Sequence, residues 1–394
     1  MAEGQAGDIC QNHIKRLRQI NDEEFEYIDI SSIDRSARSI TESKVISRHN
    51  APSRAQQVIE HGDVLVSTVR PNLNAVAMVG EKAQFQRVGS TGFCVLRAVA
   101  EKILPSFVFR VVQSEEFINS LVRVAEKAAY PSVTDDEVKA FQFPLPPLSV
   151  QREIVARLEK ELGEADKLAA KFKRVAELAD DAFKAELDET FKTLEDNSRR
   201  DAETRRVRLG DVCSTSSGGT PLRTVKAYYE GGTIPWLRSG EVSEKDIKQT
   251  EMFISQLGME NSSAKMLKRN AVVVAMYGAT AGQVGILRIE ATTNQAICAI
   301  LPADDYIPEF MYYQLCGMKK DMVAQAQGGA QPNISQIKIK NLIISFPHLD
   351  AQREIVEKLD AAKDRCEKLK AAAMRGLAAA ENLRKAILAE AFEQ

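Results

Sequence analysis

Residues 131–160 read PSVTDDEVKAFQFPLPPLSVQREIVARLEK, and residues 332–361 read PNISQIKIKNLIISFPHLDAQREIVEKLDA. The two stretches align without a gap, and Gln151, Arg152, Glu153, Ile154 and Val155 recur as Gln352, Arg353, Glu354, Ile355 and Val356. In each, a proline-punctuated apolar stretch gives way to proline-free sequence with apolar residues three and four apart, the pattern of a strand end handing over to a helix. A repeat with about half the chain per copy implies two copies of one domain plus a helix, not the short stacked units of a solenoid. Two similar modules in one chain point to one job done at two places.

Working outward, apolar residues follow the first motif at Ile154, Leu158, Leu162, Ala165, Leu168, Ala169, Phe172, Ala176, Ala179, Phe183, Leu187, Phe191 and Leu194. After the second they fall at Ile355, Leu359, Ala362, Cys366, Leu369, Ala373, Leu377, Ala380, Leu383, Ile387, Leu388 and Phe392. This three-four periodicity predicts two long helices, with Ser149 and Asp350 where N-caps belong. At 1.5 Å per residue each would be roughly 60 to 68 Å long. A helical hairpin inside a globular core is the plainer reading of such stripes. Against it stand the helix lengths, several times the globular average of about three turns, and the tethering of each helix to its own module. The two helices are therefore expected to pair as an antiparallel coiled coil with the modules at opposite ends of a rod. The many alanines on the seam allow the axes to approach closely.

Before each helix, short β-branched runs such as YIDISSI, DVLVSTV and GFCVLRAV read as strands, while LPSFVFRVVQSEEFINSLVRVA reads as helical. The fold class is α+β: two similar mixed α/β modules separated by two long antiparallel helices. The boundaries expected are a module over residues 1–148, a helix over 149–194, a charged linker over 195–207, a second module over 208–349 and a helix over 350–394. Tyr27-Ile28-Asp29-Ile30 corresponds to Trp236-Leu237-Arg238-Ser239, and Val64–Ser67 to Val272–Ala275. The second module opens with an apolar strand and Gly-Asp-Val over residues 208–212. The first has only a short polar lead before Phe25, so those opening elements are expected to be missing or rearranged there.

The 394 residues carry 44% hydrophobic and 27% charged residues, ordinary values for a globular protein of two or three domains. Six dispersed cysteines form no C-x-x-C pair, and the four histidines add no ligand spacing, so reduced thiols and no metal are expected. The polar N-terminal stretch lacks the apolar core of a signal peptide, and no apolar run reaches membrane-span length, which places the chain in the cytoplasm. A net charge of −2 gives no global pull toward nucleic acid, so binding there needs local patches or partners. No phosphate-loop, nucleophile-elbow or zinc-protease motif occurs. Gly278–Gly285 (GATAGQVG) lacks the lysine of a phosphate loop and runs into another apolar stretch, so it reads as a tight turn between strands.

What remains are loop residues suited to reading base edges and phosphates: arginine for guanine, asparagine and glutamine for adenine, hydroxyls and backbone amides for phosphate. In the first module these are Arg35, Arg38, Lys44, Arg48, Ser67, Thr68, Arg70, Asn72, Asn74, Ser90 and Thr91. In the second they are Ser216, Ser217, Thr220, Arg223, Tyr228, Arg238, Ser239, Tyr277, Thr280, Asn294, Gln327, Gln331 and Asn333. Gly218-Gly219 and Gly328-Gly329 are turn formers where backbone can also approach a ligand.

The doubled Q-R-E-I-V helix starts, together with IPWLRSGEV, STVRPNLNAVAMV, MYGATAGQVGIL and GGAQPNISQIKIKNLIISFP, resemble the specificity (S) subunits of type I restriction-modification systems, over nearly the whole chain. The resemblance implies that each module is a target recognition domain reading one half of a split DNA site. It implies that the helices fix the number of unread bases, and that two methyltransferase (M) subunits, which bring S-adenosylmethionine, dock on the rod, with restriction (R) subunits joining through them. No cofactor and no catalysis are then expected in this chain. A reading of another class is a coiled-coil scaffold carrying two protein-binding modules, which would not bind duplex DNA specifically.

Overall fold

The computed structural model describes residues 3–11, 13–81, 84–126, 130–199, 204–324 and 333–392. Two compact units emerge: Met1–Arg174 with Ala373–Gln394, and Val175–Ala372. Each unit holds one module, the first part of the helix that follows it, and the last part of the other module's helix.

In the first unit, Glu24–Ile28 pairs antiparallel with Lys44–Ser47 and parallel with Arg87–Ser90, which pairs antiparallel with Ala55–Ile59. A second sheet orders Phe93–Leu96, Val64–Ser67 and Val76–Met78, all antiparallel. Val64, Val66, Cys94 and Leu96 face helices Pro105–Val111 and Glu115–Ala125 across a core that includes Phe107, Phe117 and Leu121. The period-two alternation of the strands sends Leu65, Ala77, Phe93 and Val95 to the opposite face, where Ile28, Ile33 and Ile59 cover them. Both faces are buried, which is why these strands read as continuous apolar runs.

The second unit repeats the plan. Ile234–Leu237 pairs antiparallel with Met252–Ile254 and parallel with Thr292–Thr293. The other sheet orders Thr215–Ser217, Ile297–Ile300, Val272–Ala275, Val284–Leu287 and Asp246–Ile247. The expected equivalence of Val64–Ser67 with Val272–Ala275 holds, both being central strands of their sheets.

The opening elements expected to be missing from the first module are present. Glu3–Gln5 pairs with Gln142–Pro144 and is followed by the helical turn Ala6–Ile9, as Arg205–Arg208 pairs with Ile343–Phe346 and is followed by Leu209–Val212. Ala6-Gly7-Asp8-Ile9-Cys10 matches Leu209-Gly210-Asp211-Val212-Cys213, and Ile9, Cys10, Leu209 and Cys213 are all buried. This correction also shortens the linker: the first helix runs to Ser198, and Arg205–Arg208 is a strand, because Val207 packs on the core of its unit.

The long helices span Leu148–Ser198 and Leu349–Phe392. Ser149 and Asp350 thus lie inside the first turns and are not N-caps. The carbonyls of Pro147 and His348 accept the first helical bonds, from Gln151 N and Gln352 N at 3.0 Å each. The His348 ring accepts from Ala351 N at 3.3 Å. The helices pair antiparallel within both units. In the first, Asp166 pairs with Arg384, and a Cβ on Gly376 would lie 2.4 Å from the Phe172 ring. In the second, Lys370 meets Asp180 at 2.6 Å and Lys358 meets Glu186 at 2.9 Å. Leu158, Leu162, Ala165, Ala179, Leu359, Ala362, Ala373, Ala380 and Leu388 are buried on the seam as expected. Leu168, Leu369 and Leu383 are exposed, since Ala165, Ala373 and Ala380 hold the buried positions beside them.

Both motif glutamines are fully buried and identically bonded. Gln151 accepts from Leu104 N at 2.9 Å and donates to the carbonyls of Lys102 (3.2 Å) and Pro146 (2.8 Å). Gln352 accepts from Ile307 N at 2.8 Å and donates to the carbonyls of Asp305 (3.1 Å) and Pro347 (2.9 Å). Each side chain satisfies its polar atoms while fastening the start of the long helix to the entry of the module's own helix at Pro105 or Pro308.

Candidate nucleic-acid interface

In the second unit the strand Val272–Ala275 returns as Val284–Leu287, as its sequence implies, but through a connection over residues 276–283 that holds the turn Gly278–Thr280 in place of a tight turn. Gly278 (φ 76°) and Gly282 (φ 78°) take left-handed conformations that a side chain would strain. Tyr277 forms an isolated bridge with Asn333, and the turn Ser239–Glu241 packs against Gly278–Thr280. Gly219 N donates to Thr293 O at 2.9 Å, Trp236 Nε1 donates to Gly219 O at 3.0 Å, and Asn294 N donates to Leu237 O at 3.0 Å. Thr220 hydrogen-bonds Gln295. The loops carrying Thr220, Ser239, Tyr277, Thr280, Asn294 and Asn333 therefore converge at one end of the sheets. Tyr277 and Asn333 are exposed, and Thr220, Ser239, Thr280 and Asn294 are half-buried.

The equivalent loop of the first unit is residues 69–74. Val69 bridges Ser132, and Arg70 N donates to Pro131 O at 2.8 Å. Arg70 (φ 52°) and Asn74 (φ 42°) occupy the left-handed positions that glycines fill in the second unit. Arg70 and Asn72 are exposed, and so is Thr91; Asn74 is half-buried with an unpartnered amide nitrogen. Beside this loop stands exposed Tyr130, which no motif in the sequence marks. Its position next to the bridge could be found only by aligning Ser132 with Asn333.

Other candidates are tied up in the fold. Arg48 donates to the carbonyls of Leu17 (3.0 Å), Asp22 (3.2 Å) and Ile20, which staples the lead segment to its strand. Thr68 is buried, with Oγ1 donating to Gly92 O at 3.0 Å; Ser67 Oγ donates to Val69 O at 2.9 Å, and Ser90 Oγ accepts from Gly92 N at 3.2 Å. Arg238 pairs with Glu241 at 3.1 Å and with Glu251, so its charge is met twice within the protein. Gly218 and Gly219 serve close packing: a Cβ on Gly218 would lie 1.9 Å from Thr293 O, and one on Gly219 2.2 Å from Ser263 Oγ.

The remaining candidates lie on other segments. Arg223 is exposed, and Tyr228 packs with the segment at Ser255, whose N–H donates to Tyr228 O at 2.9 Å. Ser216 and Ser217 are half-buried on the strand paired with Ile297–Ile300. Lys44 is exposed on the outer strand of its sheet, and Arg35 is exposed in the hairpin joining Ile33–Asp34 to Ser39–Ile40. Arg38, in the same hairpin, is half-buried. Gln327, Gln331, Gly328 and Gly329 lie outside the described residues.

Among the described residues, no group of His, Cys, Asp and Glu is placed to hold a metal, and no helix is long and apolar enough to cross a membrane. Burial pushes the thiols of Cys10 and Cys316 up to about 11 and those of Cys213 and Cys298 to about 12, so they stay protonated near neutrality. The arrangement offers hydrogen-bonding loops, repeated once per unit, which is the equipment of a recognition protein.

These features define a doubled recognition module carried on paired helices. The sequence model of the type I restriction modification DNA specificity domain matches residues 2–170 and again residues 202–373, and the chain belongs to that family. The specificity subunit of type I restriction enzyme HindI from Haemophilus influenzae is 24% identical over 71% of this chain and 75% of its own length. The EcoR124I/EcoR124II specificity subunit from Escherichia coli is also 24% identical, over 41% of this chain, and that match spans only 42% of the relative. Among solved structures, a chain from a study of complex assembly and conformational transition of the type I R-M system superposes with a TM-score of 0.83. It is 27% identical, covering 99% of this chain and 97% of that one. The HsdS subunit from Thermoanaerobacter tengcongensis, also 27% identical, superposes over 99% of this chain and 96% of its own with a TM-score of 0.58.

Proposed function

We propose that this chain is the DNA-specificity subunit of a type I restriction-modification complex, acting in the cytoplasm and reading a bipartite duplex target with one module per half-site. The observation that carries the reading is the duplication itself: one family domain twice, each copy with the same loop next to the same bridge. Half-sites one turn apart lie about 34 Å from each other on B-DNA, within reach of two readers on a helical spacer. In this proposal the paired helices set the number of unread bases and dock two methyltransferase subunits, through which restriction subunits join. S-adenosylmethionine and all catalysis reside in those partners; this chain supplies recognition. The modest acidity is tolerable because partners complete the DNA clamp.

The test is long-read mapping of adenine methylation in cells expressing this chain with its candidate methyltransferase partner. A single split motif that disappears when this chain is omitted is the expected result. A complex that forms yet leaves no methylation, together with absent specific binding to duplex DNA, would favour a scaffold with two protein-binding modules.

A further inference from the structure

Two half-buried arginines of the first unit have no partner among the described residues. Arg38 and Arg110 make no hydrogen bond or ion pair to any described residue, and each has a buried Nε with nothing to donate to. Arg110 lies only over its neighbour's ring, 5.3 Å from the Phe109 centroid. Arg384 is the third of the group. It pairs with Asp166 and donates to Gln113 Oε1 at 3.1 Å, yet its Nε is also buried and unpartnered. Burial, and then the charges of Arg384 and Arg110, bring Arg38 down to about 10, with Asp166 opposing. Burial is likewise the main influence on Arg110, which feels Glu159, Arg384 and Asp166. Three cations thus face two carboxylates, one of them already engaged. Arg38 also sits at φ 49°, in the left-handed region where a non-glycine residue is strained.

The second unit shows what the same framework looks like when closed. Lys245 precedes the strand Asp246–Ile247 as Arg38 precedes Ser39–Ile40. Tyr313 holds the place on helix Pro308–Gly317 that Arg110 holds on Pro105–Val111, and Asp360 the place on its long helix that Glu159 holds on the other. There Lys245 and Tyr313 both donate to Asp360, and the Phe183 ring packs 6.2 Å from that of Tyr313. The second unit's acceptor is a protein carboxylate in direct contact; among the described residues of the first unit, Arg38 and Arg110 have none, and Asp166 is taken by Arg384.

We propose that Arg38, Arg110 and Arg384 form a binding site for a phosphate-type oxyanion. Guanidinium groups match phosphate oxygens through paired, charge-assisted hydrogen bonds, and a dianion would meet the excess positive charge. The phosphate could be free in solution or part of a DNA backbone. The free-phosphate case stands whether or not the DNA reading holds; the backbone case rests on it.

The experiment uses the full chain, its Arg38→Gly variant, which keeps the left-handed turn accessible, and its Arg110→Gln variant, which removes a charge from a regular helix. Melting is followed in inorganic phosphate and in chloride at matched ionic strength. Phosphate is expected to raise the wild-type Tm saturably. Both variants are expected to lose that response while melting no lower than wild type in chloride, because like-charge repulsion is relieved. The salt dependence of duplex binding separates the sources. A slope of log K against log salt reduced by about one in either variant assigns the site to a backbone phosphate; an unchanged slope with an intact phosphate response in the wild type assigns it to the free anion. No phosphate response in the wild type and an unchanged slope overturn the proposal. So does a variant that melts lower in chloride and still responds to phosphate, since the arginines would then be structural.

Discussion

Gln151 and Gln352 show how one residue, used twice, can hold a domain to its helix. Removing either amide leaves a half-buried N–H at the helix entry and the buried carbonyl of Pro146 or Pro347 without its side-chain donor. Gln151→Ala or Gln352→Ala is therefore expected to cost about 1–3 kcal/mol, read as a lower midpoint in urea unfolding. Arg70 presents the opposite economy. Its left-handed backbone costs roughly 1–2 kcal/mol per residue, and the second unit avoids that cost with Gly278. Arg70→Gly is expected to leave stability unchanged or raise it by up to about 1 kcal/mol, while weakening specific duplex binding in a gel-shift or anisotropy titration. A loss of stability without a loss of binding would contradict the recognition role. Arg70, Asn72, Tyr277 and Asn333 were legible as loop residues because turn chemistry is local. The engagement of Arg48, Thr68 and Arg238 was not, because their partners, Leu17, Gly92 and Glu251, are set by tertiary packing that no local pattern encodes. The Gly-Asp-Ile-Cys and Gly-Asp-Val-Cys pair is present in the sequence, but the strand before it is too short to show a period.

At the scale of elements, the helices were the most legible part of the chain, since a three-four stripe sustained over many turns has few alternative explanations. Their ends were less so: the first helix extends to Ser198 and the next strand starts at Arg205, because a charged segment can continue a helix or pair at an edge without changing its composition. Close approach is sharpest where Phe172 lies over Gly376. Gly376→Ala places a methyl against that ring and is expected to destabilise by about 1–3 kcal/mol, despite alanine's higher helix propensity; a raised Tm would show that the ring yields freely. The contact of Lys245 and Tyr313 with Asp360 in the second unit predicts a pH dependence. Burial disfavours ionisation of Asp360, but the hydrogen bonds from Lys245 and Tyr313 outweigh it and hold its carboxyl below the usual carboxylate range. A depressed folded-state pKa contributes stability that is present above the unfolded value of about 4 and lost as pH falls through the folded one. Asp360→Asn is expected to flatten that acid limb of the stability profile, measured by urea midpoints from neutral to acidic pH.

For the whole molecule, the reading as a DNA-specificity subunit makes spacing a property of helix length. Deleting four residues between Ala165 and Ala176, with the facing turn removed from the second helix, is expected to change the number of unread bases in the methylated motif. An unchanged spacer would remove the helices from that role. The partition of the chain has a separate outcome during synthesis. Leu388, Ala391 and Phe392 belong to the core of the first unit, where the Phe392 ring meets Phe107 edge-on at 5.6 Å. That unit's N-terminal part ends at Arg174, and its remaining segment begins only at Ala373. At 5–20 residues per second the ribosome needs on the order of 10 to 40 s to make the intervening stretch. Throughout that interval the first module waits with Leu158 and Leu162 uncovered by their partner helix, so it is completed only after the whole second module has been made.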